Sequence, residues 1–571
     1  MLTAVAFLPM LTVIVLMLVL KRSAKEALPA GWLMTLLAAL LVWRQDWRVA
    51  CAWAADGFLE AVGTFFVIAG AVLVMNTLKF SGAMTAISGG FNHINPDRRV
   101  QAVLVGFAFS AFLEGAAGFG TPAAITAPLM IGLGFPPLCA ATIALLFNSV
   151  PVSFGAVGAP TSTSVAIVSK AVEEYGVKAG DFSRELSFWS ALGHGVCCFF
   201  ILFAGMFVMC RFFGKKRRWQ DVLPVLPFAL FAAVVFDIVY IGVAFFAGPE
   251  FPSVAGAAAV LLTALPAAKC GFLCPKKVWT FEYGEETPEE SVFSGVSSVE
   301  TPSGNKSMGL VRAWTPYVLI GILLLCTRLN VFGIKTFLTS EYCTVQISNL
   351  LGVEAVSWKW DWGWCPGIVP FLLICAVSCF YLGMRWKEMK SALGVTFNQC
   401  FGAAVALFFG VSMVYLYRNT GMLAAEPRSM LAVMAESFAG VFRGGYFWAA
   451  PFIGVLGSFM SGSNTVSNTL FTGLQFETAV MLRLSPVFIV VLQNIGGAAG
   501  NMICVNNVVA VCATTRTAGE EGRLIRYNLI PCLIYCLLAT GFIAFAVWMG
   551  ADPCGMREML QNPPVESGMV R

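Results

Sequence analysis

The chain has 571 residues, of which 58% are hydrophobic and only 12% charged, about half the roughly 25% charged fraction of soluble domains. A soluble core cannot absorb that much apolar surface, so a soluble globular protein is excluded. The net charge of +5 sits in short loops, and with no basic segment interleaved with aromatics in a polar context it does not indicate nucleic acid.

Apolar runs recur in chain order at 2–20, 58–78, 188–210, 222–247, 394–416 and 526–549, each near or above the roughly 18 residues that mark a bilayer span. Backbone in lipid must satisfy its own hydrogen bonds, so the expected fold class is an all-α polytopic membrane protein. The first run has no basic region before it and no small-residue cleavage site after it, which reads as a retained anchor rather than a signal peptide. Lys21, Arg22 and Lys25 follow it, and Arg211, Lys215, Lys216, Arg217 and Arg218 cluster later. The positive-inside rule places both loops in the cytoplasm and the N-terminus outside. The eighteen cysteines fall mostly within apolar runs, such as Cys197, Cys198, Cys375, Cys379, Cys532 and Cys536, as small buried hydrophobes do. Cys270 and Cys274 lack a second pair or a nearby His, so no metal site is expected.

Four segments place polar groups inside this apolar sequence. In the first, FLEGAAGFGTPAAITAPLM (112–130), Gly115, Gly118 and Gly120 weaken a helix, Thr121 can cap a new one and Pro122 suits its first turn. A broken helix exposes N–H donors and a partial positive charge, a site for a small carboxylate. Glu114 lies just before the break, where an intramembrane acid is costly and points to function, here proton uptake and release. The bland alternative is close helix packing at the glycines. Asn148 then precedes the second segment, Pro151 to Ser164, where Gly155, Gly158 and Pro160 lead to the hydroxyls of Thr161 to Ser164. The third, SGSNTVSNTLFTG, offers Ser461, Ser463, Asn464, Thr465, Ser467 and Asn468 to a polar ligand or to neighbouring helices. The fourth, Gln493 to Asn507, combines amides (Asn494, Asn501) with Gly496-x-x-x-Gly500, itself a packing motif. Lys79 and Arg418 either meet a substrate carboxylate or snorkel near helix ends. Asp237, in VVFDIVY, is either a second proton group or a helix-end residue.

Residues 276–306 break the pattern with glutamates such as Glu285, Glu286, Glu289, Glu290 and Glu300 among Ser, Thr, Gly and Pro, an extramembrane linker by composition. It divides the chain into a membrane half at 1–270, a linker at 271–309, a second half at 310–550 and a tail at 551–571. FLEG at 112–115 answers FMSG at 459–462, Asn148 answers Asn494, and Lys79-x-x-Gly82 answers Arg418-x-x-Gly421, at offsets of 339 to 347 residues. Three features in one order at a nearly fixed spacing suggest internal repeat units at about 58–170 and 395–515, the pattern by which secondary transporters build a midplane site.

Enzyme motifs are absent. The two histidines, His93 and His194, form no HExxH, and there is no GxSxG or GxxxxGK[ST]. Gly118-Phe-Gly120-Thr-Pro-Ala123 matches a dinucleotide pattern but sits in a membrane span rather than after a strand.

FLEGAAGFGTPAAITAPLMIGLGF, NSVPVSFGAVGAP, SGSNTVSNTLF and GGAAGNMI together resemble the bacterial lactate permease family, across both halves and in order. The resemblance implies transport of lactate or glycolate with protons across the plasma membrane, no cofactor, and about 12 to 14 helices of bilayer-spanning length. Where the family has SGSDTSSN this chain has Asn464, and where it has GGxxGKMISPQS this chain has Asn501, followed by Cys504, Val505, Asn506 and Asn507. If the acid and base normally pair, losing both leaves no single buried charge, the costly case. The expected function is therefore proton-coupled symport of a short 2-hydroxy monocarboxylate. Glu114 would carry the proton and Gly118, Gly120, Thr121, Asn148, Gly158, Thr161, Ser461, Ser463, Asn464, Thr465, Asn468, Asn494 and Asn501 the substrate. Rival expectations are a carrier of another organic anion, sodium-coupled or not, and an anion channel.

Overall fold

The computed structural model describes residues 2–561 apart from 21, 23, 90–93, 119–120, 282–307, 329–332, 366, 423, 425–426, 516 and 518–519. His93, Gly120, most of the acidic linker and the end of the tail lie outside the described residues. Helix dominates the chain, as the apolar runs require. Among the described residues seven helices are long and apolar enough to cross a membrane, and six shorter apolar helices accompany them.

The N-terminal part runs α1 (Leu2–Ile14), α2 (Ala24–Leu41), α3 (Trp47–Phe80), α4 (Ala83–Gly89) and α5 (Arg98–Gln101). A π-helical stretch at Ala102–Phe109 leads into α6 (Ser110–Ala117), followed by α7 (Thr121–Gly132), α8 (Pro137–Phe147), α9 (Gly155–Glu174), α10 (Ala179–Val208), α11 (Leu226–Ala247) and α12 (Pro252–Lys269). After the linker come α13 (Leu310–Arg328), α14 (Ile334–Leu338) and an antiparallel ribbon of β1 (Val345–Ile347) and β2 (Trp358–Trp360), with Gln346 opposite Lys359. The remainder is α15 (Leu373–Tyr381), α16 (Trp386–Asn419), α17 (Met430–Phe442), α18 (Tyr446–Ser461), α19 (Asn464–Met481), α20 (Pro486–Gly500), α21 (Val505–Thr515), α22 (Glu521–Trp548) and α23 (Met556–Gln561).

Helix starts follow local chemistry. Asp46 caps α3 by accepting from Arg48 N at 2.8 Å and Val49 N at 3.4 Å, Ser463 caps α19 through Val466 N, and prolines open α8, α12 and α20, where a missing N–H costs nothing. The two longest helices, α3 and α16, have 34 residues each, or about 51 Å at 1.5 Å per residue. They pack antiparallel: Gln45, just before α3, donates to Asn419 O at 2.7 Å, and Asn76 near its other end donates to Thr396 Oγ1 at 2.9 Å. Gly57 permits this approach, since a Cβ there would lie 2.5 Å from Ser412 Cα.

The basic loop after α10 gathers neighbours on its side. Arg99 pairs with Asp97 at 2.6 Å and donates to Asp221 O at 2.5 Å and Lys277 O at 3.1 Å, while Trp279 N donates to Asp97 Oδ2 at 3.0 Å. The pair is almost fully buried, so its charges are compensated by a nearly complete set of bonds, the condition under which a buried ion pair holds.

Candidate substrate site

Helices that stop inside the apolar interior build the site. α6 ends where Gly118 takes φ +62°, one turn after Glu114. α8 ends on Asn148, and the first turn of α9 is left-handed at Ala156 (φ 42°), Val157 (φ 55°) and Gly158 (φ 76°). Non-glycine residues in that region are strained and persist only where the surroundings hold them. α18 ends at Gly462 (φ 77°), with α19 restarting two residues on.

These interruptions meet around a narrow cleft. Glu114 and Gly118 come from the first polar segment, Gly155 and Pro160 from the second, Ser463, Asn464 and Thr465 from the third and Asn501 from the fourth. All four segments separated by up to 387 residues in sequence therefore reach one place. Glu114 is 2% exposed. Its Oε2 accepts from Asn148 Nδ2 at 2.9 Å, and Asn148 in turn accepts from Ser110 Oγ at 3.3 Å. Oε1 faces Gly155, where a Cβ would lie 2.5 Å from it. Among the described residues no cation pairs with Glu114.

Behind the cleft the amides form a continuous network. Asn464 donates to Asn494 Oδ1 at 3.1 Å, Asn468 donates to the same oxygen at 2.9 Å and to Pro160 O at 3.0 Å, and Asn494 donates to Thr161 Oγ1 at 2.9 Å and Ser190 Oγ at 3.2 Å. Thr161 donates to Ser153 O at 2.7 Å. Asn501 accepts from Asn507 Nδ2 at 3.0 Å. Glycines let these groups approach: a Cβ on Gly497 would lie 1.9 Å from Asn464 Oδ1.

Other expected residues lie elsewhere. Gly158 faces the Pro249 carbonyl rather than the cleft. Ser461 makes local bonds to Gly457 O and Ser463 O. Thr121 opens α7. Lys79 is exposed in the last turn of α3, and Arg418 pairs with Glu174 at 2.7 Å. Because Glu174 is 66% exposed, Arg418→Gln is expected to lower stability by less than about 1 kcal/mol and to leave substrate affinity unchanged, read by thermal unfolding and uptake KM. Asn148 and Asn494, paired in the sequence comparison, differ in place: Asn148 caps the end of α8, whereas Asn494 lies within α20 and Asn501 caps its end.

Ser153 and His194, which no sequence motif assigns to the site, join this network. His194 is fully buried, with Nε2 2.7 Å from Ser153 Oγ and Nδ1 2.5 Å from the Tyr535 hydroxyl. Ser153 donates to Asn494 O at 3.2 Å, so an Nε2–H tautomer that accepts from Tyr535 satisfies every bond. A histidine between two glycines of an apolar run was the available signal. Asp237, on α11, is buried against Gly195 of α10, and neither of its oxygens has a hydrogen-bond partner among the described residues. No group of three or more potential metal ligands occurs among the described residues.

A sequence profile of the L-lactate permease family matches residues 3–549. The chain is 29% identical to the glycolate permease GlcA of Escherichia coli over 93% of each protein. It is 30% identical to the L-lactate permease of Bacillus subtilis over 88% of each. It also aligns with the YdaH transporter of Alcanivorax borkumensis, 13% identical, over 88% of each chain with a TM-score of 0.44. A match over nearly the whole length identifies a multi-pass membrane transporter, not an enzyme, and the chain belongs to the L-lactate permease family.

Proposed function

We propose that the protein is a proton-coupled symporter of a short 2-hydroxy monocarboxylate, lactate or glycolate, in the plasma membrane. The observation that carries this reading is Glu114, buried at the cleft without a cation of its own and opposite amides and interrupted helix ends. Glu114 takes the proton; the helix starts near Thr121 and Thr161 attract the carboxylate; Ser463, Asn464 and Thr465 meet the hydroxyl. An anion moving with one proton carries no net charge, so an interior-negative potential does not oppose uptake.

The same reading takes the architecture as about 12 to 14 spans of bilayer length in two inverted halves, divided by the linker and followed by a short tail. Its support is the direction of the helices: α3 and α16, at corresponding places, run antiparallel, and each half then follows with a span interrupted by glycine.

The test is lactate and glycolate uptake into sodium-free proteoliposomes with and without an acid-outside gradient. Accumulation above equilibrium that collapses with a protonophore supports the proposal. Accumulation that requires sodium, or conductance without accumulation, replaces it with the sodium-coupled carrier or the channel.

A further inference from the structure

Away from the cleft, one charged group is poorly accounted for by packing. Asp56 and Glu60 lie one turn apart on α3 and so share a face. Asp56 is fully buried; its Oδ2 forms an ion pair with Lys170 Nζ of α9, while its Oδ1, equally buried, has no hydrogen-bond partner among the described residues. Glu60, half-buried, lies one turn further along the same face of α3. Lys170 is held by the Trp53 ring at 5.2 Å, the Tyr415 ring of α16 at 5.5 Å and the Ser357 carbonyl at 3.5 Å. Arg418, one turn beyond Tyr415, also faces this side but is paired with Glu174.

Two carboxylates near one ammonium, Asp56 fully buried and Glu60 half-buried, leave one negative charge uncompensated where water is scarce, which is unfavourable. A single proton taken up by these two carboxyls makes the group neutral and supplies the donor that Asp56 Oδ1 lacks. We infer that Asp56 and Glu60, with Lys170 as counter-ion, form a second proton-binding site, at the end of α9 away from the cleft. It deepens the symport reading and rests on it for its role in transport. The link to the cleft is physical: Ala61, beside Glu60, packs in one cluster with Ala156 and Ala159, so α9 carries Lys170 at one end and the cleft-lining left-handed turn at the other.

The experiment is a pH-difference infrared spectrum, in the carboxyl stretching region, of the full chain reconstituted without substrate. Asp56→Asn and Glu60→Gln are each expected to remove one titrating component that Glu114→Gln leaves in place. Asp56→Asn strands Lys170 and can fail to fold, whereas Glu60→Gln keeps the ion pair and remains decisive. A Glu60→Gln spectrum with undiminished titrating intensity overturns the inference. Failure of Glu114 as coupling residue would show in the component lost in Glu114→Gln and in uptake, not in this one.

Discussion

Glu114→Gln is expected to abolish proton-driven accumulation while sparing exchange. The amide keeps an oxygen for Asn148 Nδ2, 2.9 Å away in the native protein, and has nearly the same volume beside Gly155, so the helix break and cleft should persist. What it cannot do is bind and release a proton. A gradient of one pH unit stores about 1.4 kcal/mol, which in one-proton symport sustains about tenfold accumulation. The variant should therefore equilibrate lactate or glycolate and stop, while preloaded vesicles still exchange labelled for unlabelled substrate. Normal accumulation by the variant under the same gradient would remove Glu114 from the coupling role. Loss of exchange as well would make it a binding residue instead.

Gly496→Ala is expected to have the largest effect on stability. A Cβ there would lie 1.9 Å from Pro451 O and 2.6 Å from its carbonyl carbon, backbone atoms of α18 that cannot rotate away. Gly500 repeats the constraint one turn on, at 2.7 Å from Val455 O, and Gly454 answers from α18, at 2.4 Å from Gln493 O. Overpacking typically costs about 1–3 kcal/mol, and backbone on both sides puts this case at or above the upper end. The protein should melt at lower temperature and yield less folded material on size exclusion. Gly522→Ala, where nothing lies within 4 Å, should change neither. Because α20 also carries Gln493 and Asn494, any Gly496→Ala protein that does fold should lose uptake more than its folded yield.

The polar segments were legible because intramembrane Glu, Asn and clustered Gly are rare against an apolar background. Their residues at Glu114, Gly118, Ser463, Asn464, Thr465 and Asn501 line one cleft. His194 was less legible because a lone buried histidine has no spacing partner in sequence; its partners Ser153 and Tyr535 are 41 and 341 residues away. The Asp56, Glu60 and Lys170 group was hidden for the same reason. Two acids one turn apart resemble a solvated helix face until α9 and α16 close over them.

The sequence by itself determined that the chain is helical and membrane-embedded, where its helices weaken and which polar residues are exceptional, because hydropathy, glycine and proline act locally. Only the tertiary structure decided which exceptions meet. It joins Asn494 to Thr161 and Ser190, commits Arg418 to Glu174, leaves Lys79 at an exposed helix end and leaves Asp56 Oδ1 without a donor among the described residues. Those outcomes depend on how helices far apart in sequence pack, and packing is fixed by backbone approach at particular glycines rather than by any local pattern.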